Sequence, residues 1–182
     1  RSFDGYEYSE WSSAQWFFAI PRVIRVPVDE STITLAIDEA CNEDTILIAH
    51  GTYLERINPL GKAIVVAGTL PAESTIVMNA TGTPVATVAN GEGPSTIIRD
   101  LTITGALGSM GVNITGSSPQ ILNNVIKSNV NYSHGGGIWI SRGNPVIRGN
   151  RIIGNLAYTR GGGICVDDEA SAVIDSNIFQ LN

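Results

Sequence analysis

A repeat near the C-terminus limits the folds that this chain can adopt. Residues 119–129 align with residues 145–155, and both align with residues 172–182, at offsets of 26 and then 27 residues. The two Gly-Gly-Gly runs at 135–137 and 161–163 are also 26 residues apart. A fixed period between about 20 and 50 residues indicates a solenoid, in which successive repeats stack on one another.

The repeat has the pattern of short β-strands. Its apolar runs are too short for helices and alternate with other residues. In Gly-Ile-Trp-Ile, residues 137–140, alternation directs both Ile side chains inward and Trp139 outward, and it likewise directs Cys165 outward. Because Asn tolerates a left-handed backbone, we expect an Asn at each tight corner. The predicted columns are Ile121, Ile147 and Ile174; Ile126, Ile152 and Phe179; Asn124, Asn150 and Asn177; and Asn129, Asn155 and Asn182.

These residues resemble a known family. The pattern Gly-Ile-x-Val/Ile, a loop, and then Pro-x-Ile-x-x-Asn-x-Ile-x-x-Asn is similar to the right-handed parallel β-helix repeat of the pectin-lyase-like superfamily. The resemblance covers about residues 25–182 and implies coils of three strands. It does not fix the function, because this fold hosts lyases, hydrolases, adhesins and structural proteins.

A short helix is predicted before the coils. Ser31 or Thr32 can cap it, and apolar residues recur with helical spacing from Ile33 to Ala40. In secreted proteins of the resembled family, such a helix plugs the first coil and hides the sheet edge. We therefore predict an all-β fold, a right-handed parallel β-helix (solenoid) with one short N-terminal capping helix. The predicted ranges are 25–182 for the domain, 32–41 for the helix, 45–182 for the coils, and 24–28, 46–48, 63–66, 75–78 and 85–88 for early strands, with corners at Gly51, Gly61, Gly68 and Gly82.

Residues 1–24 are interpreted as an aromatic-rich arm, because the first 18 residues hold seven of the twelve aromatic side chains. Water disfavours such an apolar segment. The arm is therefore expected to fold back onto its own β-helix as a cap or flank, or to dock on another copy of the chain, with disorder as the third alternative. The predicted assembly residues are Trp11, Trp16, Phe17 and Phe18. Because the chain stops at Asn182 inside a coil, we expect either a fragment or an open end covered by a partner, through head-to-tail self-association.

Composition excludes two classes of partner. The net charge is -6 with only two Lys, which argues against a nucleic-acid surface. No run of 18 apolar residues exists, so no membrane span is expected. Cys41 and Cys165 fall in different predicted elements, and we expect two reduced, unrelated thiols, with a disulfide as the alternative if their Cα atoms lie within about 7 Å. Three sequons fit N-glycosylation in a secreted or cell-surface protein, at Asn79, Asn113 and Asn131.

The outward positions are where chemistry is expected. In the polysaccharide enzymes that the fold resembles, substrate lies along the outer face of the first sheet. Here that face would carry Asn113, Trp139 and Cys165 in one column and Thr115, Ser141 and Asp167 in the next. The candidate glycan-contact residues are Trp139, Ser141 and Asp167. Alternatively, Trp139 packs against a loop.

No catalytic residue is assigned. The family's lyases need carboxylates on several coils together with Arg or Lys, and its hydrolases need two or three carboxylates held about 5 to 9.5 Å apart. Thr115 and Ser141 stand where such acids would be needed. His50 and His134 have no partner at metal-ligand spacing, so no metal is predicted. The single cofactor hypothesis is a Ca²⁺ site at the acidic run 167–169, and the alternative is that this run is a solvated turn.

The sequence thus leads to a secreted or cell-surface structural or adhesive β-helix, non-catalytic and self-assembling head-to-tail into a filament. The alternative is a carbohydrate-active enzyme (a polysaccharide lyase or glycoside hydrolase), or a glycan-binding module, with polysaccharide as its partner.

Overall fold

The computed structural model describes residues 20–167 and 169–182. The predicted arm residues Trp11, Trp16, Phe17 and Phe18, and Asp168 of the acidic run, lie outside them. The elements in chain order are β1 (Val23–Val26), α1 (Ile33–Glu39), β2 (Thr45–Ile48), β3 (Gly51–Tyr53), β4 (Val65–Gly68), a 3₁₀ turn (Ala72–Ser74), β5 (Thr75–Met78), β6 (Ala86–Val88), β7 (Ile97–Arg99), β8 (Thr102–Thr104), β9 (Val112–Thr115), β10 (Gln120–Leu122), β11 (Val125–Lys127), β12 (Val130–Asn131), β13 (Ile138–Ser141), β14 (Val146–Arg148), β15 (Arg151–Ile153), β16 (Leu156–Ala157), β17 (Ile164–Val166), β18 (Val173–Asp175) and β19 (Ile178–Gln180).

Three parallel sheets run along the solenoid. Sheet A has the order β1-β2-β4-β7-β10-β14-β18, sheet B the order β19-β15-β11-β8-β5-β3, and sheet C the order β17-β13-β9-β6. An isolated bridge between Ile57 and Ala86 extends sheet C by one position. The predicted all-β parallel β-helix with one short helix is therefore confirmed.

The predicted interior columns are confirmed. Ile121 pairs with Ile147, and Ile147 pairs with Ile174, while Ile126, Ile152 and Phe179 pair in the same way in sheet B. Ile121 and Ile147 are fully buried, whereas Ile174 in the last coil is 42% exposed. Because every strand is parallel and in register, alternation sends one set of side chains into a continuous core.

Asn side chains hold the corner between sheets A and B. The Asn150 side chain donates to the carbonyl of Ile121 at 2.8 Å and to Asn177 Oδ1 at 3.0 Å, and its own Oδ1 accepts from the Asn124 amide at 2.9 Å. Asn129, Asn155 and Asn182 form a second ladder of the same kind. The left-handed residue is the one before each ladder Asn, for example Gly149 at φ 68°. The predicted Asn at each tight corner is confirmed, but the residue before it takes the left-handed conformation, and the Asn itself contributes side-chain hydrogen bonds.

The helix is as predicted, with Thr32 as its cap. Thr32 Oγ1 accepts a hydrogen bond from the Leu35 amide at 3.1 Å. Ile33, Ala36 and Ile37 are buried, and the helix packs against β1 and β2. It therefore covers the first coil of the core.

Several boundaries differ from prediction. The strand expected at 63–66 is Val65–Gly68, and Gly68 is not a corner, because a Cβ there would lie 2.2 Å from the Asp100 carbonyl. Sheet A begins at β1 rather than at residue 45. The prediction missed β3, and it missed β12 and β16, which pair inside the long corners. No helix among the described residues is long and apolar enough to cross a membrane.

Candidate functional site

The outer face of sheet C carries the residues that sequence reasoning selected. Its central column runs through Thr87, Asn113, Trp139 and Cys165 in the observed register. The bridge between Ile57 and Ala86 places Asn58 beside Thr87 as the first position of this column. Neighbouring positions are about 4.8 Å apart along the axis, so the column forms a narrow, largely polar strip. We call it the outer column.

A second row runs beside the outer column. Thr115 pairs with Ser141 in the strand ladder, and Ser141 Oγ donates to Asp167 Oδ2 at 3.2 Å. Thr115 Oγ1 donates to Asn113 Oδ1 at 3.2 Å, which ties the two rows together. Asp167 is the single acid in this row. The two-carboxylate arrangement of glycosidases therefore does not occur within it.

Trp139 is half-buried, and a histidine from the adjoining long corner covers part of it. The His134 ring lies 5.5 Å from the indole, centroid to centroid, at an interplanar angle of 43°. The predicted alternative, in which Trp139 packs against a loop, therefore applies to the part of the indole that His134 covers. The remaining part of the indole faces outward along the outer column.

His134 is itself held by two neighbours. Its Nδ1 lies 2.6 Å from Ser133 Oγ, and its Nε2 lies 3.4 Å from Arg160 Nη2. Because a guanidinium can only donate, we assign Nε2 as the acceptor and Nδ1 as the protonated nitrogen. Nδ1 then donates to Ser133, so His134 cannot take the Ser133 proton as the base of a catalytic triad does. The arrangement instead leaves the Ser133 hydroxyl hydrogen free to donate to a ligand.

Two exposed tyrosines stand on the same stacked corners. Tyr132 and Tyr158 are 62% and 67% exposed and pack edge to face with ring centroids 5.5 Å apart. The backbone holds this pair, since the Tyr158 amide donates to the Asn131 carbonyl at 3.1 Å. These residues, with His134 and Arg160, were missed as site residues. The 26-residue spacing of Tyr132 and Tyr158, and of His134 and Arg160, is the signal that could have found them.

The two cysteines are free, as predicted. Burial raises the pKa of the Cys165 thiol, while Arg160 lowers it and Asp167 raises it. Cys165 is therefore a neutral thiol near neutral pH, and a thiol in this form is a poor nucleophile.

The arginines at sheet C differ from the other described arginines in forming no ion pair. Three arginines have no ion-pair partner within the described part of the chain, and all three lie at sheet C. Arg56 lines a cleft with Thr87, Arg142 directly follows Ser141, and Arg160 approaches His134. Five other arginines form ion pairs, namely Arg22–Asp44, Arg25–Asp29, Arg99–Asp100, Arg148–Asp175 and Arg151–Glu73.

Two of the three predicted glycosylation sites have buried side chains. Asn79 and Asn131 are only 7% and 4% exposed. The Asn79 side-chain nitrogen donates to Thr83 Oγ1 at 2.8 Å, and that of Asn131 donates to the His134 carbonyl. A glycan on either nitrogen would displace these bonds, so both are poor acceptors in the folded chain. Asn113 is half-buried in the outer column, and its glycosylation stays a prediction.

Within residues 20–167 and 169–182, no group of three His, Cys, Asp or Glu side chains is placed to hold a metal ion. The Ca²⁺ hypothesis included Asp168, which is outside these residues, and it stays untested.

Comparison with known proteins gives the family. The family described as "Right handed beta helix region" matches residues 75–182, more than half of the chain, and the chain therefore belongs to it. The structure is similar to pectin methylesterase PemA from Erwinia chrysanthemi, with a TM-score of 0.54 and 14% identity. The match covers 79% of this chain and 54% of the esterase, so the chain spans about half the length of that protein. At this identity the likeness shows the fold alone. A comparison with curated proteins gives no match.

Proposed function

We propose that the outer face of sheet C binds a polysaccharide, with Trp139 as its aromatic contact. The observation that carries this proposal is the position of Trp139, half-exposed within a strip whose other members are Asn58, Thr87, Asn113 and Cys165. An aromatic face beside hydroxyl and amide groups suits the apolar faces and hydroxyls of sugar rings, because Trp combines a large apolar surface with a fixed geometry.

The surrounding polar groups would orient the ligand. The Ser133 hydroxyl can donate, Asp167 can accept, and Arg142 and Arg160 are cations without ion-pair partners among the described residues. A few such groups beside an apolar contact are the usual composition of a carbohydrate or small-molecule site. The exposed pair Tyr132 and Tyr158 would extend the contact beyond Trp139.

Affinity electrophoresis in gels that contain neutral or acidic plant and bacterial polysaccharides tests the proposal. We expect at least one polysaccharide to retard the chain, Trp139→Ala to weaken that retardation by tenfold or more, and Trp139→Phe to preserve most of it, a tenfold loss being about 1.4 kcal/mol. Val173→Ala, on the outward face of sheet A, is the matched control and should not change retardation. Equal retardation of Trp139→Ala and the unsubstituted chain would refute the proposal.

Catalysis on the bound polysaccharide is the alternative that the sequence left open. Because Asp167 is the single acid in the second row, we expect the chain to cleave no acidic polysaccharide. Unsaturated products detected by ultraviolet absorbance after incubation with pectate or alginate and Ca²⁺ would contradict this for lyase chemistry. New reducing ends would contradict it for hydrolysis, and Asp167→Asn would then be the first variant to measure.

Location outside the cell and head-to-tail assembly are further proposals that polysaccharide binding does not require. The assembly arm residues Trp11, Trp16, Phe17 and Phe18 lie outside the described residues, so the test must use the chain in solution. Sedimentation of the intact chain and of a variant lacking residues 1–19 separates the outcomes. If both sediment as monomers at high concentration, the assembly proposal is wrong.

A further inference from the structure

A cleft lies beside the first position of the outer column. Its volume is about 270 Å³, and helix α1 supplies one of its walls through Thr34, Ile37 and Asp38. Arg56, Asn58 and Thr87 line it from the coils. This volume falls just below the range of about 300 to 1,000 Å³ that is usual for ligand pockets, which indicates a ligand group about the size of one sugar ring.

The cleft contains polar groups that the protein itself does not use. The Arg56 guanidinium and the Asp38 carboxylate have no hydrogen bond or ion pair within the described residues, and no ion pair joins the two. Asn58 Oδ1 accepts from the Leu60 amide at 3.2 Å and from Asn90 Nδ2 at 3.4 Å, which fixes the side chain while its own nitrogen stays available. A donor, an acceptor and an amide therefore line the same cleft, together with the apolar side chain of Leu60.

The cleft is continuous with the outer column. Asn58 and Thr87 are the first two positions of that column, and both also line the cleft. Helix α1 lies beyond Asn58, so the outer column has no further position on the side of the helix. A glycan chain lying along sheet C from Trp139 toward the helix would therefore end in the cleft.

We propose that this cleft is an end subsite that binds one uncharged terminal sugar residue of the polysaccharide. Arg56 would donate to a sugar hydroxyl, Asp38 would accept from another, and the Leu60 side chain, which is 49% exposed, would contact the apolar face of the ring. An uncharged residue fits best, because a carboxylate attracted by Arg56 would also be repelled by Asp38. This inference rests on the proposed polysaccharide binding by sheet C. It specifies in addition that one end of the polysaccharide is recognised.

The test uses monosaccharides, which reach the cleft without occupying the rest of the face. Glucose, galactose, mannose and xylose are titrated separately while the methyl signals of Ile37 and Leu60 are followed by NMR, with sodium galacturonate as the charged probe. We expect at least one neutral sugar to move both signals in a saturable manner. Arg56→Ala and Asp38→Asn should each weaken that binding about tenfold, because each removes a charge-assisted hydrogen bond.

Two control variants separate this inference from the proposed function. Arg148→Ala removes an arginine on the outward face of sheet A, where it pairs with Asp175, and should leave monosaccharide binding unchanged. Trp139→Ala should weaken polysaccharide retardation by tenfold or more and leave monosaccharide binding in the cleft unchanged. The inference is overturned if no neutral sugar moves the signals, if galacturonate moves them more strongly, or if Asp38→Asn has no effect. Binding of a neutral sugar in the cleft without any polysaccharide retardation would contradict the proposed function and, with it, the role as an end subsite.

Discussion

The Asn ladder and the outer column are built from the same repeat but follow opposite rules. At the corner, Asn124, Asn150 and Asn177 are identical, and each amide bonds the coil beside it. On sheet C, the residues at equivalent positions of successive coils are different, as Asn113, Trp139 and Cys165 show. The backbone at the corner requires the same side chain, Asn, in successive coils. It places no such requirement on the residues of the outer face. Repetition therefore marks structure in this chain, and variation marks the surface where a ligand can be recognised.

Charges show the same contrast. On the outward face of sheet A, Arg148 of one coil pairs with Asp175 of the next. At sheet C, Arg56, Arg142 and Arg160 have no such partners among the described residues. Exposed pairs contribute little to stability, typically below about 1 kcal/mol. The difference therefore concerns which charges are available to a ligand rather than which coils are stable.

The largest expected effect comes from the interior. Ile147→Asp places a charge at a fully buried position between Ile121 and Ile174 and should unfold the domain, because an unpaired buried charge costs several kcal/mol. Val146→Asp, one residue earlier on the same strand and facing outward, should keep the fold. Circular dichroism and thermal unfolding of the two variants check this, and equal damage from both would contradict the inward and outward assignment.

An intermediate effect is expected at the ladder. Asn150→Ala removes the side-chain donor to the Ile121 carbonyl and the acceptor of the buried Asn124 backbone N–H. Each buried unsatisfied group costs about 1 to 3 kcal/mol, so we expect a loss of about 3 kcal/mol in the free energy of unfolding. Urea denaturation measures the loss. A change below about 1 kcal/mol would mean that the repeated Asn is not needed structurally.

A smaller effect, dependent on pH, is expected at Glu92, which is 2% exposed. Burial opposes its ionisation, but hydrogen bonds from the Asn90 and Gly61 amides and the Ser117 hydroxyl outweigh burial and lower its pKa. A lowered folded pKa stabilises the fold above the unfolded value of about 4.3, and this stability is lost as the pH falls through the folded pKa.

Glu92→Gln should therefore lower the free energy of unfolding by about 2 kcal/mol at neutral pH, through its hydrogen bonds to a charged group. Below the folded pKa, the two proteins should converge. Urea denaturation at several pH values, with the exposed Glu169→Gln as the control, measures this. A constant difference between Glu92→Gln and the unsubstituted chain down to acidic pH would show that ionisation of Glu92 does not stabilise the fold.

The fold could be predicted where the repeat is strict. Alignment of residues 119–182 gave the register of the later strands, because a repeated residue in a solenoid occupies a repeated position. The earlier coils lack that alignment. The run Ala63-Ile-Val-Val66 is apolar throughout, so its strand was placed two residues early, before the observed Val65–Gly68. Gly68 suggested a corner because its close approach to the Asp100 carbonyl cannot be seen in the sequence.

The site could be predicted only in part. Strand alternation identified Trp139, Ser141 and Asp167 as outward residues of sheet C, since it depends on the period of two alone. The approach of His134 to the indole, and of Arg160 to His134, depends on how the long corners fold over the sheet. The 26-residue spacing places His134 and Arg160 on adjacent coils, but alternation does not show that these corner side chains reach the indole, so that contact required the structure.

The central claim is that the outer column binds a ligand without supporting the fold, and the fluorescence of Trp139 tests it most directly. The chain has three tryptophans, so a Trp11→Phe, Trp16→Phe variant reports on Trp139 alone. Titration with the polysaccharide that retards the chain should shift or quench this emission to saturation. Trp139→Ala in the unsubstituted chain should change the free energy of unfolding by less than about 1 kcal/mol. A polysaccharide that binds while the emission of Trp139 stays constant, or a Trp139→Ala chain that unfolds, would contradict the claim.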